Sequence, residues 1–134
     1  MTIISPMRPV DTSNAPFAVP PEIVLTLPKP PSTNGLFFNS SGGGRARTAE
    51  YRGWLTEAGW AVRIQRQKPL KGPVKIGIAI EDAGKGDLDN FCKATCDLLV
   101  KHGLIEGDDR SIVRLIGMEW SADVVGCRVL VRPA

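Results

Sequence analysis

From Val74 to Asp82 the chain sets a β-branched apolar residue at every second position. Val74, Ile76, Ile78 and Ile80 therefore leave an extended backbone on one side, and no helix can gather them onto one face. This stretch has to be a strand with one face buried, ending at Glu81-Asp82. A shorter run of the same kind, Ile23-Val24-Leu25-Thr26-Leu27, predicts a strand near the start of the ordered domain, stopped by Pro28, Pro30 and Pro31. Between them the period changes. Tyr51, Leu55, Ala58 and Val62 fall at i, i+4, i+7 and i+11, with Trp54 and Ala61 widening the stripe, which predicts a helix capped by Thr48 and running to about Arg66. Gly53 and Gly59 weaken it.

A second helix is predicted from about Leu88 to His102. Lys101 and His102 in its last turn suit the helix dipole, and Gly103 ends it. Ile112–Trp120 and Val124–Arg132 read as two antiparallel strands joined around Ser121-Ala122-Asp123. Val125, Cys127, Val129 and Val131 are then expected in the core, with Arg128 and Arg132 outward. The order β-α-β-α-β-β predicts an α+β, two-layer α/β domain: a small mixed sheet with two helices packed on one face. At 134 residues the chain suits one domain, assigned to residues 23–134. Residues 1–22 hold five of the eleven prolines and little periodicity, and are read as a mobile leader. The glycine-rich segment from Ser32 to Arg45 is read as a long functional loop.

Charge is unevenly spread. Residues 1–80 carry ten Lys/Arg against four Asp/Glu, and residues 81–134 carry seven against ten. From Arg63 through Arg66, Lys68 and Lys71 to Lys75 there is no acid, a stripe that suits phosphate or a solvated helix end and loop. The three cysteines, an odd number without an export signal, predict free thiols and a reducing, cytoplasmic setting. No apolar run is long enough to span a membrane.

Against this basic background stands Gly86-Asp87-Leu88-Asp89-Asn90-Phe91-Cys92-Lys93, followed by Gly107-Asp108-Asp109. Asp87 and Asp89 leave the same side of an extended chain, while Asn90, Lys93 and Asp97 are spaced along one helical face. Adjacent carboxylates repel unless a cation lies between them, and oxygen donors of this kind suit Mg²⁺. Helix capping by Asp89 or Asn90 explains one of the acids without a metal, and a separate turn explains Asp108-Asp109. Lys93 is either a phosphate contact or an ion-pair partner of Asp97. Cys92 and Cys96 are i, i+4, a spacing open to a metal; without a nearby Cys/His pair, small buried hydrophobes fit better. His102, the only histidine, is assigned to the helix end, Trp54 and Trp60 to core or dimer contacts, and Trp120 to a core position at a strand end.

Pro30-Pro31-Ser32-Thr33-Asn34, then Asp87-Leu88-Asp89-Asn90 with Lys93, Asp97 and Leu98, then Asp108-Asp109, resemble the RusA family of Holliday junction resolvases in order and spacing. The resemblance implies a homodimeric, Mg²⁺-dependent endonuclease, with Mn²⁺ as a substitute ion and no organic cofactor, that nicks two opposing strands of a four-way DNA junction. Asp87, Asp89 and Asp109 match the family's catalytic, metal-binding acids and Lys93 its catalytic lysine, with a lesser metal role for Asp108. Asn34, Arg45 and Arg47 fall in the segment similar to the substrate-binding loop. Some members carry an arginine run before the DLDN string. Here Ala83-Gly84-Lys85-Gly86 stands instead, so DNA contacts are expected from Lys85, Arg63, Arg66, Lys68 and Lys71 and from the glycine-rich loop. The competing functions are a branched-DNA binding protein without nuclease activity and a nuclease acting on flaps or forks.

Overall fold

The computed structural model describes residues 20–134, so the leader expected over residues 1–22 lies almost wholly outside the described residues. Its elements run β1 (Ile23–Leu27), a 3₁₀ turn (Thr33–Gly35), β2 (Phe37–Asn39), β3 (Arg45–Arg47), α1 (Ala49–Gln65), β4 (Val74–Glu81), a 3₁₀ turn (Leu88–Phe91), α2 (Cys92–Lys101), β5 (Val113–Ser121) and β6 (Cys127–Pro133). The main sheet has the order β1-β6-β4-β5. β1 and β4 both run antiparallel to β6, and β4 runs parallel to β5. The fold is α+β, with a mixed four-stranded sheet as expected.

One face of that sheet is dry. Ile23, Leu25 and Leu27 of β1, Val74, Ile76, Ile78 and Ile80 of β4, and Cys127, Val129 and Val131 of β6 are all buried. They form one core with Tyr51, Leu55, Ala58 and Val62 of α1 and Leu98 and Leu99 of α2. Each fully buried aliphatic side chain contributes about 1.5–3 kcal/mol, so these alternating residues supply much of the driving force. The opposite face carries Val24, Thr26, Lys75, Arg128 and Arg132, all exposed. Helix α1 starts as its cap predicts, with Thr48 Oγ1 accepting from the Tyr51 amide at 3.1 Å. It ends at Arg66, which takes a left-handed conformation (φ 49°).

The two edges of the sheet are treated differently. On β1, Gln65 Oε1 accepts from the Thr26 amide at 2.8 Å, Gln65 Nε2 donates to the Thr26 carbonyl at 2.7 Å, and Gln67 Oε1 accepts from the Val24 amide at 2.9 Å. Side-chain amides thus complete what a further strand would supply. On β5 no such cover exists among the described residues, and Leu115, Ile116 and Trp120 are exposed.

Three sequence expectations need correction. β5 and β6 do not pair with each other, because β4 lies between them. Two alternating segments close in sequence suggest a hairpin, but with β4 between them the backbone of β4 finds ladder partners on both edges. The 121–126 connection instead crosses the end of β4: the Asp82 amide donates to the Ser121 carbonyl at 3.2 Å and the Glu81 amide to the Gly126 carbonyl at 2.9 Å. Val125, on that arch, is 88% exposed rather than in the core. The loop from Ser32 to Arg45 is also more ordered than expected, since Phe37, Phe38 and Asn39 pair with Arg47, Ala46 and Arg45 in a small second sheet.

Gly126 holds the crossing together. Its φ is +78°, and a Cβ there would lie 2.4 Å from the Leu27 carbonyl oxygen, while its amide donates to Glu81 Oε1 at 2.6 Å. Gly126→Ala is expected to lower stability by about 2–3 kcal/mol, read as a shifted midpoint in urea denaturation at unchanged m-value.

Candidate active site

Beyond β4 the chain is shaped by contacts from the proline-rich segment after β1. Lys29 Nζ donates to the Ala83 carbonyl at 2.7 Å and lies 5.2 Å from the centre of the Phe91 ring. Thr33 Oγ1 donates to the Asn90 carbonyl at 3.0 Å, so the segments Pro30–Asn34 and Asp87–Lys93 touch directly. Gly86 makes the turn possible. Its φ is +115°, and a Cβ would meet Phe91 Cζ at 3.0 Å.

After Gly86 the helix does not start at Leu88. Asp87 is extended, the Asn90 amide donates to the Asp87 carbonyl at 3.0 Å, and residues Leu88–Phe91 make a 3₁₀ turn before α2 proper. Neither junction carries a side-chain cap. The capping role predicted for Asp89 or Asn90 is therefore not taken up, and both side chains stay available to other partners. The two-apart argument for Asp87 and Asp89 also fails, because only Asp87 has extended backbone. Asn90 does not join the face of Lys93 and Asp97 either, since the tight turn rotates it to the other side.

A depression of about 290 Å³ follows the flank of α2, lined by Asp89, Cys92, Lys93, Cys96 and Asp97 at helical spacing, with Asp108 facing them. Lys93 Nζ lies 3.1 Å from Asp97 Oδ2. The hydrogen bond and charge of Asp97, with a smaller contribution from Asp108, hold the Lys93 ammonium above its ordinary pKa. As an exposed i, i+4 pair it is worth only about 0.3–0.5 kcal/mol, little resistance to a phosphate that would take the lysine over.

Asp109 points elsewhere. Its carboxylate accepts from the Ser111 amide at 2.8 Å and from the Ser111 hydroxyl, and these bonds hold its pKa below the usual carboxylate range. Asp87 is exposed beside Gly86 and lines none of these depressions. Among the described residues, no three His, Cys, Asp or Glu side chains gather closely enough to hold one metal ion. The donors nonetheless suit Mg²⁺, which accepts one or two carboxylates and completes its shell with water and substrate phosphate.

The depression continues into a groove. A cavity of about 490 Å³ shares Asp97 and Asp108 with it and adds Arg47 and Lys101. A third, of about 340 Å³, shares Arg47, Leu55 and Lys101 and adds Arg52, Arg63 and His102. Acidic side chains thus stand at one end and cations at the other. His102 packs against Gly59, whose missing side chain makes room, and burial followed by Arg63 and Lys101 pushes its pKa down. Trp60 is 58% exposed on this groove, not in the core, with the Arg63 guanidinium 5.0 Å from its ring centre. Trp54 is buried as expected, and Trp120 is 36% exposed against Phe91.

Of the expected DNA contacts, Arg47 and Arg63 line the groove, while Arg45 sits on the hairpin with its guanidinium 4.9 Å from the Phe37 ring centre. Asn34 and Lys85 line a separate cavity beyond the 3₁₀ turn. Arg66, Lys68 and Lys71 are exposed at and after the far end of α1, away from the groove. Sequence reasoning missed Arg52, Lys101 and Lys29 as site residues. Arg52 and Lys101 lie on different helices, and only packing brings them to one groove.

Cys92 and Cys96 are less inert than small hydrophobes. Their sulfurs are 3.7 Å apart, and the hydrogen bond between them holds the Cys92 pKa below the ordinary thiol value. That bond and burial push Cys96 up, and burial pushes Cys127 up to about 12.

The model of the family described as Endodeoxyribonuclease RusA matches residues 28–132, which includes every residue of the depression and groove. No curated protein matches the chain.

The half-buried Cys92, its pKa lowered by the hydrogen bond with Cys96, is the most ionised of the three thiols at pH 8, since the other two are pushed up. Brief treatment with iodoacetamide at that pH is expected to label Cys92 first and Cys96 and Cys127 only after unfolding, as mapped by peptide mass spectrometry. Cys96→Ser keeps a hydrogen-bond donor and is expected to keep the fast labelling, and Cys96→Ala, which removes it, to slow the labelling.

Proposed function

The chain belongs to the RusA endodeoxyribonuclease family, matched over residues 28–132, and we propose that it is a Mg²⁺-dependent homodimer that resolves four-way DNA junctions by paired phosphodiester hydrolysis. One observation carries this reading: the depression holding Asp89, Lys93, Asp97 and Asp108 runs into a groove lined by Arg47, Arg52, Arg63 and Lys101. A polyanion is drawn to the cationic end, and carboxylates wait where the strand meets the 3₁₀ turn.

Asp89 and Asp108 are the pair that would hold Mg²⁺ from within the depression. Asp87 and Asp109, which the family resemblance marks together with Asp89, lie outside the depression and would have to turn toward the ion to complete its oxygen donors. Bound there, the ion would activate water and polarise the phosphoryl group. The protein's own part is positional and electrostatic. Lys93 gives up Asp97 to neutralise charge on the phosphoryl oxygens, and the groove cations hold the leaving strand in line. Contacts of this type read phosphate position and backbone shape more than base identity, which suits a branched substrate.

Two features support a second copy. A four-way junction has two equivalent strands to cut, which a two-fold assembly matches. The uncovered β5 edge, with Leu115 53% and Ile116 41% exposed, contrasts with the capped edge of β1. No helix among the described residues is long and apolar enough to cross a membrane.

Asp89→Asn is expected to cut junction cleavage in Mg²⁺ by at least about a hundredfold while leaving junction binding intact, and EDTA to do the same to the native chain. Asp109→Asn is informative for a second reason. Its amide oxygen can still accept from Ser111, so lost cleavage with an unchanged thermal midpoint would mark a catalytic rather than a loop-shaping role. Persistent cleavage by Asp89→Asn on a synthetic four-way junction would refute the assignment.

The groove makes a separate prediction. Arg63→Ala and Lys101→Ala are each expected to weaken junction binding and to flatten the slope of log affinity against log salt concentration by about one unit. Fluorescence anisotropy with a labelled junction measures both.

A further inference from the structure

Cys92 and Cys96 stand one turn apart on α2, and both open on the depression that holds Asp89, Asp97 and Asp108. Hydrolysis as described above gives neither of them a task. Both are free thiols, Cys92 half-buried and Cys96 buried. Their sulfurs lie 3.7 Å apart, sharing a hydrogen bond that either could donate.

That separation fits one ion between the two sulfurs. Two thiolates on a tetrahedral ion, each about 2.3 Å from it, stand about 3.8 Å from one another. The helix already sets the pair at this spacing, so an ion can take the place of the shared proton without redirecting the chain. Ligation takes thiolates, and the two thiol protons leave to solvent.

Two sulfurs do not fill a coordination shell, and among the described residues no third ligand stands ready beside them. The depression offers the candidates. Asp97 is engaged by Lys93 at 3.1 Å, which leaves Asp89 before the cysteines and Asp108 across from them. Asp89, Cys92 and Cys96 follow at i, i+3 and i+7, the repeat of one helical flank. Val113 and Ile116 add apolar side chains to the lining, which shelters an ion from water. Mg²⁺ takes oxygen donors, whereas a thiolate pair selects a softer ion. One hollow thus presents two donor sets that share their carboxylates.

We propose that Cys92 and Cys96 bind a soft divalent cation of the zinc class, with Asp89 or Asp108 as third ligand and water as the fourth. The ion would stop Mg²⁺-dependent cleavage by withdrawing that carboxylate from the nuclease site. The ion site stands on the sulfur geometry, while the loss of cleavage rests on the endonuclease reading, so the two are measured separately.

Co²⁺ takes the same tetrahedral geometry and absorbs when bound to thiolate, so it serves as the probe in a titration of the reduced full chain. One equivalent is expected to raise a sulfur-to-cobalt charge-transfer band. Zn²⁺ is expected to bleach that band and to protect Cys92 from iodoacetamide. Cys92→Ser and Cys96→Ser are each expected to abolish the band, and Cys127→Ser, outside the depression, to keep it. Thermal midpoints show which variants fold, and Cys92→Ser, at the less buried position, decides the matter if Cys96→Ser does not. A native chain that gives no band in excess Co²⁺, or a band that survives in folded Cys92→Ser, would overturn the ion site.

The second measurement is junction cleavage in Mg²⁺. One equivalent of Zn²⁺ is expected to slow the native chain at least about tenfold and Cys92→Ser less than about twofold. Equal slowing of both would put Zn²⁺ on the carboxylates alone, and an unaffected native chain would show that no carboxylate is withdrawn; either overturns the inhibition. A native chain that cuts no junction even without Zn²⁺ would overturn the endonuclease reading, while the band and the labelling still decide the ion site.

Discussion

Strand β4 is the element on which the other parts depend. It is hydrogen-bonded on both edges, antiparallel to β6 and parallel to β5, and its four alternating aliphatic residues are among the most buried in the chain. Parallel pairing of β4 with β5 requires a crossover between them, and α2 provides it. The crossover fixes the site. The 3₁₀ turn must leave the end of β4, α2 must pack back across the sheet, and the loop carrying Asp108 must return to the start of β5. Acids as distant in the chain as Asp89 and Asp108 therefore open on one depression, although neither was placed by a local preference.

The helix start is held by its neighbours rather than by its own side chains. A side-chain cap is usually worth about 1 kcal/mol, and aspartate and asparagine are well suited to give it. Here both are present and neither does so; instead, Lys29 and Thr33 hold the turn from outside. Asp89 and Asn90 are thereby freed, one toward each side of the turn. The weak Lys93–Asp97 pair follows the same logic, since an exposed ion pair keeps a lysine charged and pointed while yielding it at little cost.

Electrostatics then orders the surface. The basic excess of the first eighty residues is not one stripe, because α1 distributes it. Arg52 and Arg63 join Arg47 and Lys101 on the groove, whereas Arg66, Lys68 and Lys71 lie past the end of the helix. A duplex arm following the groove would reach the carboxylates at its acidic end. Exposed Trp60, backed by Arg63, adds an aromatic face along that path.

What was legible in the sequence depends on near neighbours along the chain. The alternation at Ile23–Leu27 and Val74–Ile80 identified strands, Thr48 and the Tyr51–Val62 stripe identified α1, and the spacing from Pro30 to Asp109 identified the family. These signals are legible because backbone period and capping are set within a turn or a few residues. Long-range packing is what places β4 between β5 and β6, exposes Val125 on the arch and pairs Phe37–Asn39 with Arg45–Arg47. It also turned Asp108 toward Asp89 while Asp109 turned to Ser111. Those outcomes depend on which distant surfaces bury the most apolar area and which polar groups find partners there, and no local pattern encodes that choice.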